Sequence, residues 1–169
     1  MRRVGRLRPS DRERGGSAPV TVTGPGGRGR RRRSEVAYAD TNLFVALLVG
    51  PGHPLHEPAL SIFRRVADGS LSLVVLPLIV VELVYVAGPL LRWPRRDTAD
   101  RLGELLAADG LVVIESPTIE RALRLYGERA RLDFADAYLA AAALEVGPAV
   151  VASLDADLDT IEGVVRIAS

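Results

Sequence analysis

Four acidic residues interrupt segments that are otherwise apolar: Asp40, Glu82, Asp136 and Asp155. Asp40 closes Val36-Ala37-Tyr38-Ala39, and Glu82 separates Leu78-Ile79-Val80-Val81 from Leu83-Val84-Tyr85-Val86. Asp136 opens the run Ala137-Tyr138-Leu139-Ala140-Ala141, and Asp155 follows Val150-Val151-Ala152-Ser153-Leu154. Carboxylates are rarely buried without a partner, because an unpaired charge in a low dielectric is costly. Four of them spread along one chain point to a shared partner, and a hard divalent cation is the simplest. Acid-only ligands, with no cysteine and no convincing histidine set, favour Mg²⁺ or Mn²⁺ over zinc. A cation held in this way acidifies bound water, and the hydroxide can attack a phosphorus aligned by the same ion.

From Glu35 onward, short β-type runs alternate with helical patterns. Strands are predicted over Val36–Ala39, Leu71–Val75, Leu111–Glu115, Ala149–Ser153 and Val164–Ile167. Helices are predicted over Asn42–Val49, Pro58–Ala67, Pro77–Ala87, Arg95–Ala108, Thr118–Arg129 and Phe134–Val146. Several strands are apolar without alternation, which suits a sheet covered on both faces. The order predicts an α/β domain with a central, mainly parallel sheet flanked by helices. Such folds bind ligands at the carboxyl ends of their strands. Asp40 and Asp155 each fall just past a predicted strand, while Glu82 and Asp136 lie in the early turns of helices. Carboxylates gathered there repel one another unless a cation neutralises them.

Each acid also has a plainer reading. Asp40 suits an N-cap, and Asp133-Phe134-Ala135-Asp136 reads as an N-cap followed by an acid at the third helical position. Asp155, Asp157 and Asp159 alternate after a strand, where Asx turns are the default for at least two of them. Glu82 sits mid-helix, so it is either a paired core carboxylate or a ligand. His53 and His56 lie among prolines and read as loop residues. Arg92-Trp93-Pro94-Arg95-Arg96 combines cations with an aromatic face; it serves as a nucleic-acid contact, a helix connector or a dimer contact.

Composition narrows the classes. The 169 residues fit one domain with a sizeable core. Cysteine is absent, which removes disulfides and thiolate chemistry. Lysine is absent as well, which excludes a P-loop and Schiff-base catalysis and counts against a phospho-acceptor receiver domain. The net charge of +1 conceals an asymmetry. Residues 1–33 carry eleven arginines against Asp11 and Glu13, a balance of +9, whereas the remainder carries eleven arginines against nineteen acids, a balance of −8. Residues 1–34 therefore read as a disordered Arg-rich extension. It is an RNA-attracting arm, a solvated tail, or a segment upstream of a true start nearer Val36. No apolar stretch follows these arginines, so they do not form a secretory signal. Leu71 to Leu91 is long enough to span a membrane, but Pro77, Gly88, Pro89 and Glu82 oppose it; the glutamate alone costs about 3 kcal/mol at mid-membrane. A short strand followed by a helix starting at Pro77 accounts for the same residues.

Taken together, Tyr38-Ala39-Asp40-Thr41-Asn42, Val81-Glu82-Leu83-Val84-Tyr85, Leu132-Asp133-Phe134-Ala135-Asp136-Ala137-Tyr138-Leu139-Ala140-Ala141 and Ser153-Leu154-Asp155-Ala156-Asp157 resemble PIN-domain ribonucleases. Within that superfamily they look most like the VapC-type toxins of toxin–antitoxin pairs. The resemblance covers residues 35–169 and implies a PIN-like three-layer sandwich. It implies Asp40, Glu82, Asp136 and Asp155 as a Mg²⁺ site, with Mn²⁺ as a substitute. Thr41, Ser153 and Asp157 match supporting positions. The implied activity is endoribonucleolytic hydrolysis leaving 5′-phosphate and 3′-hydroxyl ends. The implied partners are RNA, a cognate antitoxin and a second copy of the chain, in the cytoplasm and away from membranes. A non-catalytic PIN-like module, or RNA binding through the arginine tail alone, is the alternative.

Overall fold

The computed structural model describes residues 34–168, so the reading of residues 1–33 lies outside it. Strand β1 (Glu35–Tyr38) leads into α1 (Thr41–Val49), a 3-10 turn at Gly50–Gly52 and α2 (His56–Ala67). Strand β2 (Leu71–Val75) is followed by α3 (Pro77–Leu91) and α4 (Arg95–Leu106), and β3 (Leu111–Val113) by α5 (Ser116–Glu128) and α6 (Phe134–Val146). Strand β4 (Val150–Ala152), a 3-10 turn at Ala156–Thr160 and β5 (Val165–Ile167) complete the described chain. Helices connect most strands, because parallel neighbours need long crossovers.

Strands β1, β2 and β3 pair in parallel in that order, with Tyr38 beside Val74 and Val74 beside Val112. Strands β4 and β5 form a separate parallel pair, with Val151 beside Arg166. The result is the expected α/β arrangement of helices around parallel strands. Coverage is uneven, however. Leu71, Leu73 and Val75 of β2 are buried and the intervening Ser72 and Val74 half-buried, while Val36 and Tyr38 of β1 are exposed.

The core joins residues from sheet and helices. Phe44 of α1 meets Phe63 of α2 edge-on at 5.6 Å, and Tyr126 of α5 meets Phe134 of α6 at 5.7 Å. Helix α6 buries Ala137, Ala140 and Ala141 completely, small side chains that allow close helix approach. Gly110, just before β3, adopts φ +86°, and a Cβ there would lie 2.6 Å from Val66 Cγ1 of α2. Only glycine permits that turn and that approach.

The predicted helix over Pro77–Ala87 extends to Leu91. Pro89 falls in the last turn, where it removes a single backbone bond while Val80, Leu83, Val84 and Ala87 bury the face that holds the helix. Arg92 then takes the left-handed conformation at φ 54°, and the Trp93 N–H returns to the Gly88 carbonyl. Among the described residues, no helix is long and apolar enough to cross a membrane.

Candidate active site

Asp40 occupies the N-cap position of α1, yet its side chain makes no capping hydrogen bond. The carboxylate is exposed and accepts only from Asn42 Nδ2, at 3.4 Å. The next residue, Thr41, is buried, and its hydroxyl donates to Glu82 Oε2 on α3. Asp40 and Glu82 are thus coupled through the first residue of α1.

Glu82 corrects the expectation of a core carboxylate, because it is exposed. Helix α3 buries Val80, Leu83, Val84 and Ala87, which share one face at helical spacing. That periodicity turns Glu82 outward together with Leu78 and Tyr85. Its flanking residues are apolar without being uniformly buried. Asp40 is exposed too, and Asp136 and Asp155 are half-buried, so none of the four lies in the sealed interior.

The other two acids come from separate elements. Asp136 is in the first turn of α6, and Asp155 caps the 3-10 turn three residues past β4. Burial, the Asp155 charge and the Asp133 charge, in that order, hold the Asp136 carboxyl above the usual aspartate range. Asp155 N–H donates to Ser153 Oγ at 3.0 Å, and Asp155 Oδ1 accepts from Asp157 N–H at 2.8 Å. The expected Asx turn is therefore present, and Ser153 braces it. Asp157 faces Arg131 Nε at 3.4 Å. Asp159 forms a two-pronged pair with Arg166 at 2.9 and 2.7 Å, which holds its carboxyl below the usual range.

The acids are therefore linked in pairs only: Thr41 ties the residue after Asp40 to Glu82, and the charge of Asp155 acts on Asp136. Among the described residues, no group of three or more His, Cys, Asp or Glu is close enough to hold a metal ion. Asp133 sits at the N-cap of α6 as expected, but without a side-chain capping bond.

Other expectations resolve locally. His53 Nδ1 accepts from Leu55 N–H within its loop, whereas His56, expected in a loop, is the first residue of α2 and its Nδ1 contacts the Ala46 carbonyl of α1. In the Arg92–Arg96 segment, Trp93 is covered by Arg101 at 4.7 Å, and Arg95 is engaged with α5. That favours the helix-connector reading. Two residues escaped the sequence reading: Glu115, left-handed at φ 58° after β3, and Tyr138, whose hydroxyl donates to Glu115 Oε2. Burial and that carboxylate push the phenol up to about 12. The strand was expected to run through Glu115 but ends at Val113, and an acid at the end of that predicted strand was the one available signal.

Neither a search of curated proteins nor one of solved structures gives a match. The PIN domain family model, by contrast, matches residues 37–164, from β1 to the residue before β5. PIN domains are typically metal-dependent nucleases, and their nuclease members bind RNA. The match spans all six helices and the first four strands, and the chain belongs to the PIN domain family.

Proposed function

We propose that the chain is a divalent-cation-dependent endoribonuclease, the toxin half of a toxin–antitoxin pair, acting on RNA in the cytoplasm. The observation that supports it best is the Asp136–Asp155 couple. Burial first, and then the charge of Asp155 on a different element, opposes ionisation of Asp136, a cost that a shared cation removes. The donors are hard oxygens and fit Mg²⁺ or Mn²⁺ chemically. Asp136 and Asp155 would hold the ion, while Asp40 and Glu82, which form no group of three with them among the described residues, would orient the attacking water rather than add ligands. When bound, the cation supplies acidified water and charge for the scissile phosphate. The chain's own part is placement: Ser153 fixes the Asp155 backbone, and Thr41 fixes Glu82.

The toxin reading is supported by the sequence resemblance to VapC-type proteins and by an apolar surface beside Glu82. Leu78, Tyr85 and Leu90 of α3 are exposed, and a second copy or an antitoxin segment would cover them. In this reading residues 35–169 are the catalytic domain. Deleting residues 1–33 should leave cleavage intact.

Asp40→Asn tests the assignment. RNA cleavage should vanish while the circular dichroism spectrum is retained, and EDTA should inactivate the unmodified chain until Mg²⁺ is restored. Undiminished cleavage by Asp40→Asn would refute the site. That the acids are linked in pairs only favours one rival, a non-catalytic PIN-like module. That rival requires that Mg²⁺ leave the melting temperature unchanged, because an ion bound only by the folded state must raise it.

A further inference from the structure

Arg95 opens α4, but its side chain leaves that helix for the far end of α5. Nε donates to the Tyr126 carbonyl at 3.2 Å, Nη2 donates to the Leu132 carbonyl, and the guanidinium lies 3.8 Å from the centroid of the Tyr126 ring. Among the described residues it forms no ion pair. Its charge is met by two carbonyls and an aromatic face instead. The Tyr126 carbonyl belongs to the last turn of α5, where carbonyls lack helical partners and a cation is favoured. Leu132 is buried and immediately precedes Asp133, the N-cap of α6. Tyr126 in turn packs edge-on against Phe134, the first residue of α6.

One guanidinium thus grips both ends of the connection between α5 and α6, and two routes lead from it to the turn that carries Asp136. The first runs through the Leu132 carbonyl and Asp133, the second through the Tyr126 ring and Phe134. We infer that Arg95 is a positioning residue that fixes the first turn of α6, and with it the Asp136 carboxylate, relative to Asp155. The role rests on Asp136 being a cation ligand, as proposed above. Lysine would not replace it, because an ammonium neither forks between two carbonyls nor lies flat on a ring.

The test uses the full chain without RNA. Mn²⁺ affinity is measured by calorimetry, and hydrogen exchange is followed over residues 130–137. Arg95→Met keeps the aliphatic stem and removes the donors. It should weaken Mn²⁺ binding about tenfold, as loss of an outer-sphere partner does, and speed exchange at the amides of the first turn of α6. Arg95→Lys should recover part of both effects. Arg101→Met, which uncovers Trp93 on the same helix, should lower the melting temperature without altering Mn²⁺ affinity. If Arg95→Met fails to fold, Arg95→Lys and Tyr126→Leu take its place with the same readouts. Unmodified Mn²⁺ affinity and exchange in these variants overturn the inference. An unmodified chain that binds no Mn²⁺ overturns the cation-site reading instead, and exchange then still reports whether the clamp orders α6.

Discussion

Thr41 donates its hydroxyl proton to the Glu82 carboxylate, tying the first residue of α1 to the outward face of α3 across 41 residues of sequence. The bond ties the residue that follows Asp40 to Glu82. Because Thr41 is buried, its hydroxyl has few alternatives to this acceptor. The placement of the Glu82 carboxylate beside the start of α1 therefore depends on one short side chain.

Thr41→Val retains shape and removes the donor. Loss of a hydrogen bond to a charged group should cost about 1.5 kcal/mol, at the low end because water reaches Glu82. Thr41→Ser keeps the donor and loses a buried methyl, about 0.8 kcal/mol. RNA cleavage should fall in the valine variant well beyond its fall in the serine variant, although their denaturation midpoints differ little. Equal rates would remove Thr41 from the site.

Asp136 couples stability to pH in a defined direction. Its folded carboxyl is raised above the ordinary value of 3.8 by burial, then by Asp155 and Asp133. Its protonated form therefore stabilises the fold below that value, and the contribution is lost as pH rises through the folded pKa. At neutral pH the ionised group opposes folding. Asp136→Asn should thus raise the melting temperature at pH 7 in EDTA, and the gain should shrink as acid is added. The same variant should abolish the rise in melting temperature that Mg²⁺ is expected to give the unmodified chain. A melting temperature lowered at pH 7 in EDTA would contradict this sign.

The secondary structure was largely legible because apolar periodicity records burial: Leu71–Val75 and Phe134–Val146 begin and end where the pattern places them. Helix α3 outran its predicted end because a proline reads as a stop, whereas Pro89 lies in a last turn already anchored by buried residues upstream. The candidate acids were legible as residue types and their surroundings were not. Apolar neighbours made Glu82 look buried, but Leu78 and Tyr85 beside it are exposed as well, and exposed apolar side chains are common. The Arg95 contacts join residues 31 and 37 positions apart, a separation for which local pattern carries no signal.

Gly110 is expected to be intolerant of any side chain. Alanine there combines a left-handed backbone with a Cβ placed 2.6 Å from Val66 Cγ1. Backbone strain and overpacking together should cost about 2–4 kcal/mol. Chemical denaturation of Gly110→Ala measures it. A midpoint equal to that of the unmodified chain would mean that α2 and β3 do not approach as described.

The exposed face of α3 separates partner binding from folding. Leu78 and Tyr85 are 63% and 48% exposed and flank Glu82 at helical spacing. Leu78→Asp with Tyr85→Ser removes only partly buried side chains, so stability should fall by no more than about 1 kcal/mol per site. If a second copy covers this face, sedimentation should register a dimer for the unmodified chain and a monomer for the variant. The placement predicts a functional loss as well, because a contact beside Glu82 would order the α3 face that carries it. A variant that remains dimeric places the contact on another face. A monomeric unmodified chain removes the dimer contact; if an antitoxin segment covers these side chains instead, the variant should cleave RNA normally but escape inhibition.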